Sequence, residues 1–447
     1  MMNITENVIA FYRHFYFMNL GDYIMYQALS KEELLALQSE LRKEYGEYQE
    51  KGLRLNISRG KPSSEQIDLA MGILDALDSK YDGFVTPDGD YRNYGMWDGI
   101  PEARELFSDL LEIPASQIFI GNNSSLNLMF DVISCAYTHG LCGNRPWGKE
   151  EKVKFLCPAP GYDRHFAITE FFGFELITIP RLSTGPDMDL VEEWVKDPTV
   201  KGIWCVPKYS NPTGITYSDE TVRRFAALHP AAPDFRIMWD NAYCVHDLTD
   251  TPDVLLNLYE ECCKNGTEDL MFMFASTSKI SFPGGGISAL AASNNNMKTL
   301  RKYFSVMTIG PDKLNQLRHV LYFKNLDGIK AMMQKQRSVI EPKFKLCDEK
   351  LTKYLGGLGI AQWSKPNGGY FISLDVMEGT AKQVFALCRD AGVVLTDAGA
   401  TFPYGKDPKD SNIRLAPTYS SMEELDTAMD LLCVCVKLAA VNKLLEG

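Results

Sequence analysis

The sequence has no apolar run long enough to span a membrane. Its N-terminus lacks the basic-then-apolar order of a secretory leader. Eleven cysteines form no CxxC pair, and no Cys/His set stands at zinc spacing. That removes the usual signatures of a zinc module and leaves reduced thiols, which point to the cytoplasm. No GxGxxG follows a candidate strand, so a nicotinamide dehydrogenase is disfavoured. Positive charge is in deficit: 46 Lys and Arg face 58 Asp and Glu, a net charge of −12. Nucleic acid and anionic membrane surfaces are therefore poor partners. Internal repeats and low-complexity tracts are also missing.

What is present is an ordinary globular composition, 45% hydrophobic and 23% charged, over 447 residues. Length alone allows two or three domains. Residues 1–24 are rich in aromatics but follow no clean period, and they read as an upstream extension with little role. The pattern Ser30-Lys-Glu-Glu33 is a capping box that predicts an amphipathic helix through about Lys51. From Ser58 to about Leu321, short apolar runs alternate with helical stretches. The runs include 154–157, 174–179, 202–206, 237–239 and 271–274. Such alternation predicts an α/β fold with a mostly parallel sheet between helices, whose ligands bind beyond the carboxyl ends of the strands. From about Asn325 a long helix leads to a second unit, with a strand opened by Gly368-Gly369 and a last helix capped at Ser421–Glu424. The expected divisions are 1–24, 25–57 joining the small domain, a large domain at 58–324 and a small α+β domain at 325–447.

The chemistry concentrates where those strands end. Leu270-Met-Phe-Met-Phe-Ala-Ser276-Thr277-Ser278-Lys279 reads as a buried strand delivering one amine. Phe235-Arg-Ile-Met-Trp-Asp240 does the same for a carboxylate, with Tyr243 three residues on. Val200 to Pro207 leads to Asn211-Pro-Thr-Gly214. A lone lysine after a strand is ordinarily solvated, and a lone strand-end aspartate is ordinarily a turn residue. Here the lysine is flanked by apolar and glycine residues, and the four groups are those that pyridoxal phosphate needs. An amine forms a Schiff base with its aldehyde. A carboxylate against the pyridinium nitrogen makes the ring an electron sink.

This ordered set resembles the fold-type I, class I/II pyridoxal-phosphate aminotransferases, from about Leu53 to the C-terminus. Arg59-Gly-Lys-Pro62, Pro160-Gly-Tyr-Asp-Arg-His165 and Asp312-Lys-Leu-Asn-Gln-Leu-Arg-His319 are similar to the subgroup containing the bacterial type Ic aspartate aminotransferases. The resemblance implies a seven-stranded-type sheet and a homodimer with shared sites. It makes Lys279 the Schiff-base lysine and proton-transfer base, Asp240 the ring-nitrogen partner, and Asn211 and Tyr243 donors to the phenolate oxygen. Arg414, in Asn412-Ile-Arg-Leu-Ala, matches the arginine that forks the substrate α-carboxylate, and Gly60 lets backbone approach it. Tyr94 matches a tyrosine that reaches the neighbouring subunit's phosphate.

Other positions follow from local pattern. Ile118-Phe-Ile-Gly-Asn-Asn-Ser-Ser is a strand, a polar turn and a helix start, so Asn122, Asn123 and Ser124 are phosphate candidates or a plain cap. Ser276 and Ser278 add hydroxyls, and Tyr162 is the aromatic placed to stack on the ring. The family's arginine shortly after the lysine is missing: Ile280 to Ser288 contains no cation. Lys313 and Arg318, in a run that related enzymes send into the partner subunit's site, are expected either to meet the side-chain carboxylate of a dicarboxylic substrate, or to cap a helix or replace the missing phosphate arginine. The expected activity is ping-pong transfer from an amino acid to a 2-oxo acid, aspartate and 2-oxoglutarate first. A β-lyase or decarboxylase on the same scaffold is the alternative. An aminotransferase-like regulator is disfavoured, since about fifty residues precede Leu53.

Overall fold

The computed structural model describes residues 25–446. The expectation for 1–24 therefore lies outside the described residues. Helix α1 (Lys31–Glu50) opens with the reciprocal capping box of Ser30 and Glu33 and buries Leu34 and Leu41. Strand β1 (Leu55–Asn56) follows it.

The main sheet then assembles from β2 (Ile118–Ile120), β3 (Lys154–Ala159), β4 (Glu175–Leu182), β5 (Gly185–Pro186), β6 (Val200–Cys205), β7 (Arg236–Asp240), β8 (Met271–Ser276) and β9 (Ser288–Ala292). Helix α2 (Ser125–His139) follows β2, and α3 (Asp163–Phe171) follows β3. The spatial order is β2-β9-β8-β7-β6-β3-β4-β5. The central run β8, β7, β6, β3 and β4 is parallel; β9 is antiparallel to its neighbours, and β5 to β4. The sheet thus has eight strands rather than seven, because two residues fold back on β4 as β5. The central strands β6, β7 and β8 are almost wholly buried, as continuous apolar runs covered on both faces require.

Two apolar layers cover this sheet. One includes Ile237, Trp239, Met271 and Met273; the other includes Trp204, Met238, Phe272 and Phe274. The alternation along β7 and β8 decides which layer each side chain joins. Helix α4 (Lys313–Phe323) precedes the long α5 (Leu326–Leu355), which Asn325 caps by accepting from Gly328 N–H.

Beyond α5, strands β10 (Ala361–Trp363), β11 (Ile372–Val376) and, after the short β12 (Val393–Val394), β13 (Asn412–Leu415) follow. β10, β11 and β13 form an antiparallel three-stranded sheet, and β12 pairs in parallel with β1. The final helix α6 (Met422–Glu446) packs on α1 and α5 in one continuous core. The N-terminal segment is therefore held by the C-terminal unit, through the β1–β12 pair and α1 on α6. No described helix is long and apolar enough to cross a membrane.

Candidate active site

A cavity of about 550 Å³ lies where the C-terminal ends of β6, β7 and β8 face β13 and the Arg59–Lys61 loop. Its lining brings together Gly60, Ser124, Tyr162, Asn211, Asp240, Tyr243, Ser276, Ser278, Lys279 and Arg414, all expected from sequence. Asp240 is the last residue of β7 and stands beside Phe274 of β8, so the strand register carries the carboxylate towards the lysine loop. Asp240 is 4% exposed. Its Oδ1 is buried with no partner among the described residues. Its Oδ2 lies 3.0 Å from His165 Nε2. A carboxylate only accepts, so the imidazole donates. The His165 ring stacks on Trp204, with centroids 4.5 Å apart and planes 12° off parallel.

Lys279 sits three residues beyond β8 and lines the cavity. Its Nζ is 5.0 Å from the Tyr243 ring centroid and 5.8 Å from that of Tyr370. Burial lowers the pKa of its amine, against the attraction of Asp240. Burial likewise holds the Tyr243 phenol well above its ordinary pKa, so it stays protonated and able to donate. His246 packs edge-on against the rings of both Tyr243 and Tyr370; burial and the Lys279 charge push it down to about 3, so its imidazole is neutral.

Arg414 enters from β13 opposite Ser373. Its Nη1 donates to Asp163 Oδ1 at 2.7 Å and to Asn211 Oδ1 at 3.3 Å, and its Nε donates to Thr396 Oγ1 at 3.4 Å. Nη2 has no protein partner among the described residues. The guanidinium carbon lies 5.0 Å from the Phe371 ring centroid. Gly60 is required here by space: a Cβ would stand 2.1 Å from Phe371 Cζ.

The turn before α2 is built as the sequence suggests, with Ser124 capping the helix by accepting from Leu126 N–H. Ser276 Oγ donates to Ser278 Oγ, which donates to the carbonyl of Asn123 at 2.7 Å. Ser288 Oγ donates to the carbonyl of Asn122. These bonds tie the α2 turn to the lysine loop. Asn122 and Asn123 stand behind the lining rather than in it, and the Asn123 side chain donates to Pro283 O. The lining adds Ser125 and Leu126, on the open first turn of α2.

Three expected residues lie away from this chain's cavity. Tyr94 is 80% exposed, beside Gly95, whose N–H donates to Ile309 O. Lys313 is buried at the first turn of α4 with Nζ donating to Gly95 O at 3.1 Å. Arg318 Nη2 donates to Asn315 Oδ1 one turn back on the same helix. Neither Lys313 nor Arg318 lines the cavity of its own chain.

Sequence reasoning missed four contributors: His165, Asp163, Phe371 and Arg164. Arg59, quoted only within a motif, also lines the cavity. The residues present fit pyridoxal phosphate. An orphaned carboxylate oxygen awaits a cationic N–H, burial lowers the lysine's pKa, and a helix first turn with serine hydroxyls suits an anion. No metal-binding cluster occurs among the described residues.

Comparison with known proteins gives the family and the fold. The aspartate amino-transferase family model matches residues 29–447. A Mycolicibacterium smegmatis protein is 49% identical over 426 residues, covering 94% of this chain and 99% of its own. An aspartate aminotransferase of Corynebacterium glutamicum is 46% identical over 418 residues, covering 93% of this chain and 96% of its own. The crystal structure of an aspartate transaminase from Corynebacterium glutamicum superposes with a TM-score of 0.92 at 46% identity, over 95% of this chain and all of that one. The fold is that of the fold-type I aminotransferases, and the chain belongs to the aspartate amino-transferase family.

Proposed function

We propose that this aminotransferase uses pyridoxal phosphate to move the amino group of aspartate to 2-oxoglutarate by a ping-pong route. The observation that carries the proposal is the unpartnered, buried Asp240 Oδ1 in one cavity with Lys279 and Arg414. The name of the Corynebacterium glutamicum relative supports the choice of donor.

Bound cofactor supplies an aldehyde that condenses with amines and a ring that withdraws electrons. Asp240, oriented by His165, would keep the ring nitrogen protonated. Tyr243, protonated because it is buried, and Asn211, through its amide Nδ2, would donate to the phenolate oxygen. Tyr162 would stack on the ring, and Ser124, Ser276, Ser278 and the first N–H groups of α2 would hold the phosphate. Arg414 offers Nη2 to the substrate α-carboxylate while Asp163 and Asn211 fix Nη1. Lys279, released by the substrate, would be the base that moves the proton between the substrate Cα and the cofactor's C4′. Phe371, packed on Gly60, closes the wall beside Arg414 against water.

The same reading includes a homodimer. Its support is an exposed apolar patch at Tyr94, Val306, Met307 and Ile309, contiguous through the Gly95–Ile309 bond. A cytoplasmic location is supported by eleven cysteines that are all free. The test is to mix holoenzyme with aspartate alone. Stoichiometric pyridoxamine phosphate and oxaloacetate are expected, with glutamate formed after 2-oxoglutarate is added. Continuous release of alanine and carbon dioxide without pyridoxamine phosphate would assign a decarboxylase instead.

A further inference from the structure

We infer that Arg164 is the residue that reads the side-chain carboxylate of a dicarboxylic substrate, from within the same chain. This rests on the proposed aminotransferase reading, in which Arg414 takes the α-carboxylate. Besides Arg414 and Lys279, three cations line the cavity: Arg59, Lys61 and Arg164. Lys61 is engaged elsewhere, with its Nζ 4.0 Å from the Tyr419 ring centroid. Arg59 and Arg164 are exposed and carry neither ion pair nor side-chain hydrogen bond among the described residues.

Placement separates these two. Arg164 lies on the first turn of α3, directly after Tyr162 and Asp163. Asp163 is the residue whose carboxylate touches Arg414. Consecutive helical residues fan out by about 100°, so Asp163 and Arg164 divide one wall of the cavity between them. Asp163 faces the α-carboxylate arginine, and Arg164 is left for the other end of a four-carbon diacid. Its charge is felt at the Tyr162 hydroxyl, on the wall assigned to the cofactor ring.

A second observation points the same way. The N-terminal end of α3 has no side-chain cap bond, and the one acidic residue of its first turn, Asp163, is engaged by Arg414. Arg164 on that turn has no ion pair among the described residues, and a cation there is unfavourable to the helix start. A ligand carboxylate would offset it. Lys313 and Arg318, the other cations expected to do this work, would act from the partner subunit; within their own chain they bond to Gly95 O and Asn315.

The test compares holoenzymes carrying Arg164→Gln, Arg59→Gln and Arg318→Gln. Each is assayed with aspartate, glutamate and alanine as donors. Binding of succinate, an unreactive diacid, is measured by calorimetry against propionate. Arg164→Gln should lower kcat/KM for aspartate and glutamate by at least ~30-fold. Alanine turnover should stay within about threefold, and succinate affinity should fall in parallel while propionate is unchanged. Arg164→Lys should recover part of the succinate affinity, because charge is kept and the fork is lost. Equal losses for all three donors, or the selective loss appearing in Arg59→Gln or Arg318→Gln, would overturn the assignment. The succinate titration needs no turnover. A wild type that transaminates no donor would therefore sink the aminotransferase reading, while the Arg164 effect on succinate would still be decided.

Discussion

Replacing Asp240 tests the centre of the proposed mechanism. The residue is 4% exposed, with Oδ1 unpartnered and Oδ2 3.0 Å from His165 Nε2. Alanine at this position causes two separable losses. His165, itself buried, is left with an unmatched ring N–H, which costs about 1–3 kcal/mol of stability. The protonated ring nitrogen loses its only buried counter-charge, and breaking such a pair costs about 3–5 kcal/mol. Felt in the transition state, that slows the amino-transfer half-reaction by roughly 150- to 5,000-fold. Asp240→Asn separates the two, since it can still accept from His165 but carries no charge. Stability should return while the rate should not. The assay is stopped-flow conversion by aspartate on protein of measured cofactor content, with thermal unfolding run on both variants. An asparagine variant that is fully loaded and within about threefold of wild type, under ~1 kcal/mol of barrier, would refute the assigned role.

Lys279→Ala should bind pyridoxal phosphate without a reducible covalent link, shown by mass after borohydride treatment, and turnover without added amine at the wild-type rate would contradict this. Because burial lowers the lysine's pKa below its ordinary 10.5, its reactive neutral form persists to lower pH than in free lysine. The rate at which apoenzyme captures the aldehyde should therefore rise with pH through a midpoint below 10.5; a midpoint at or above that value would show an unperturbed amine. Gly60→Ala sets a Cβ 2.1 Å from Phe371 Cζ and should cost about 1–3 kcal/mol of denaturation free energy, with rescue by Phe371→Leu; an unrescued loss would place the fault elsewhere. Deleting residues 1–24 should leave activity intact and a dimer by sedimentation, at twice the mass of the shortened chain; loss of the dimer would make the segment a structural arm.

The strand-end groups were legible because two local patterns fix them. An unbroken apolar run locates a central strand, and the polar residues just beyond it fall at the carboxyl edge, where a parallel sheet opens. Asp240, Lys279 and the loop carrying Asn211 follow that rule. The capping boxes at Ser30 and Ser421 were legible for the same reason, since their partners stand three residues away. What escaped was long-range. His165 reaches Asp240 across 75 residues, and Asp163 reaches Arg414 across 251. Nothing in either local stretch announces its partner, because strand order decides which helix start faces which strand end. Lys313 and Arg318 are a different case. Their distance from Lys279 along the chain suggested a place near the substrate in the partner subunit's site; within their own chain α4 sets Lys313 against Gly95 and Arg318 against Asn315. Arg164 adjoins residues already assigned to the pocket, but its neighbours suggested only the aromatic at Tyr162. Chain offset locates an element, whereas the face that element presents decides which of its side chains meets the substrate.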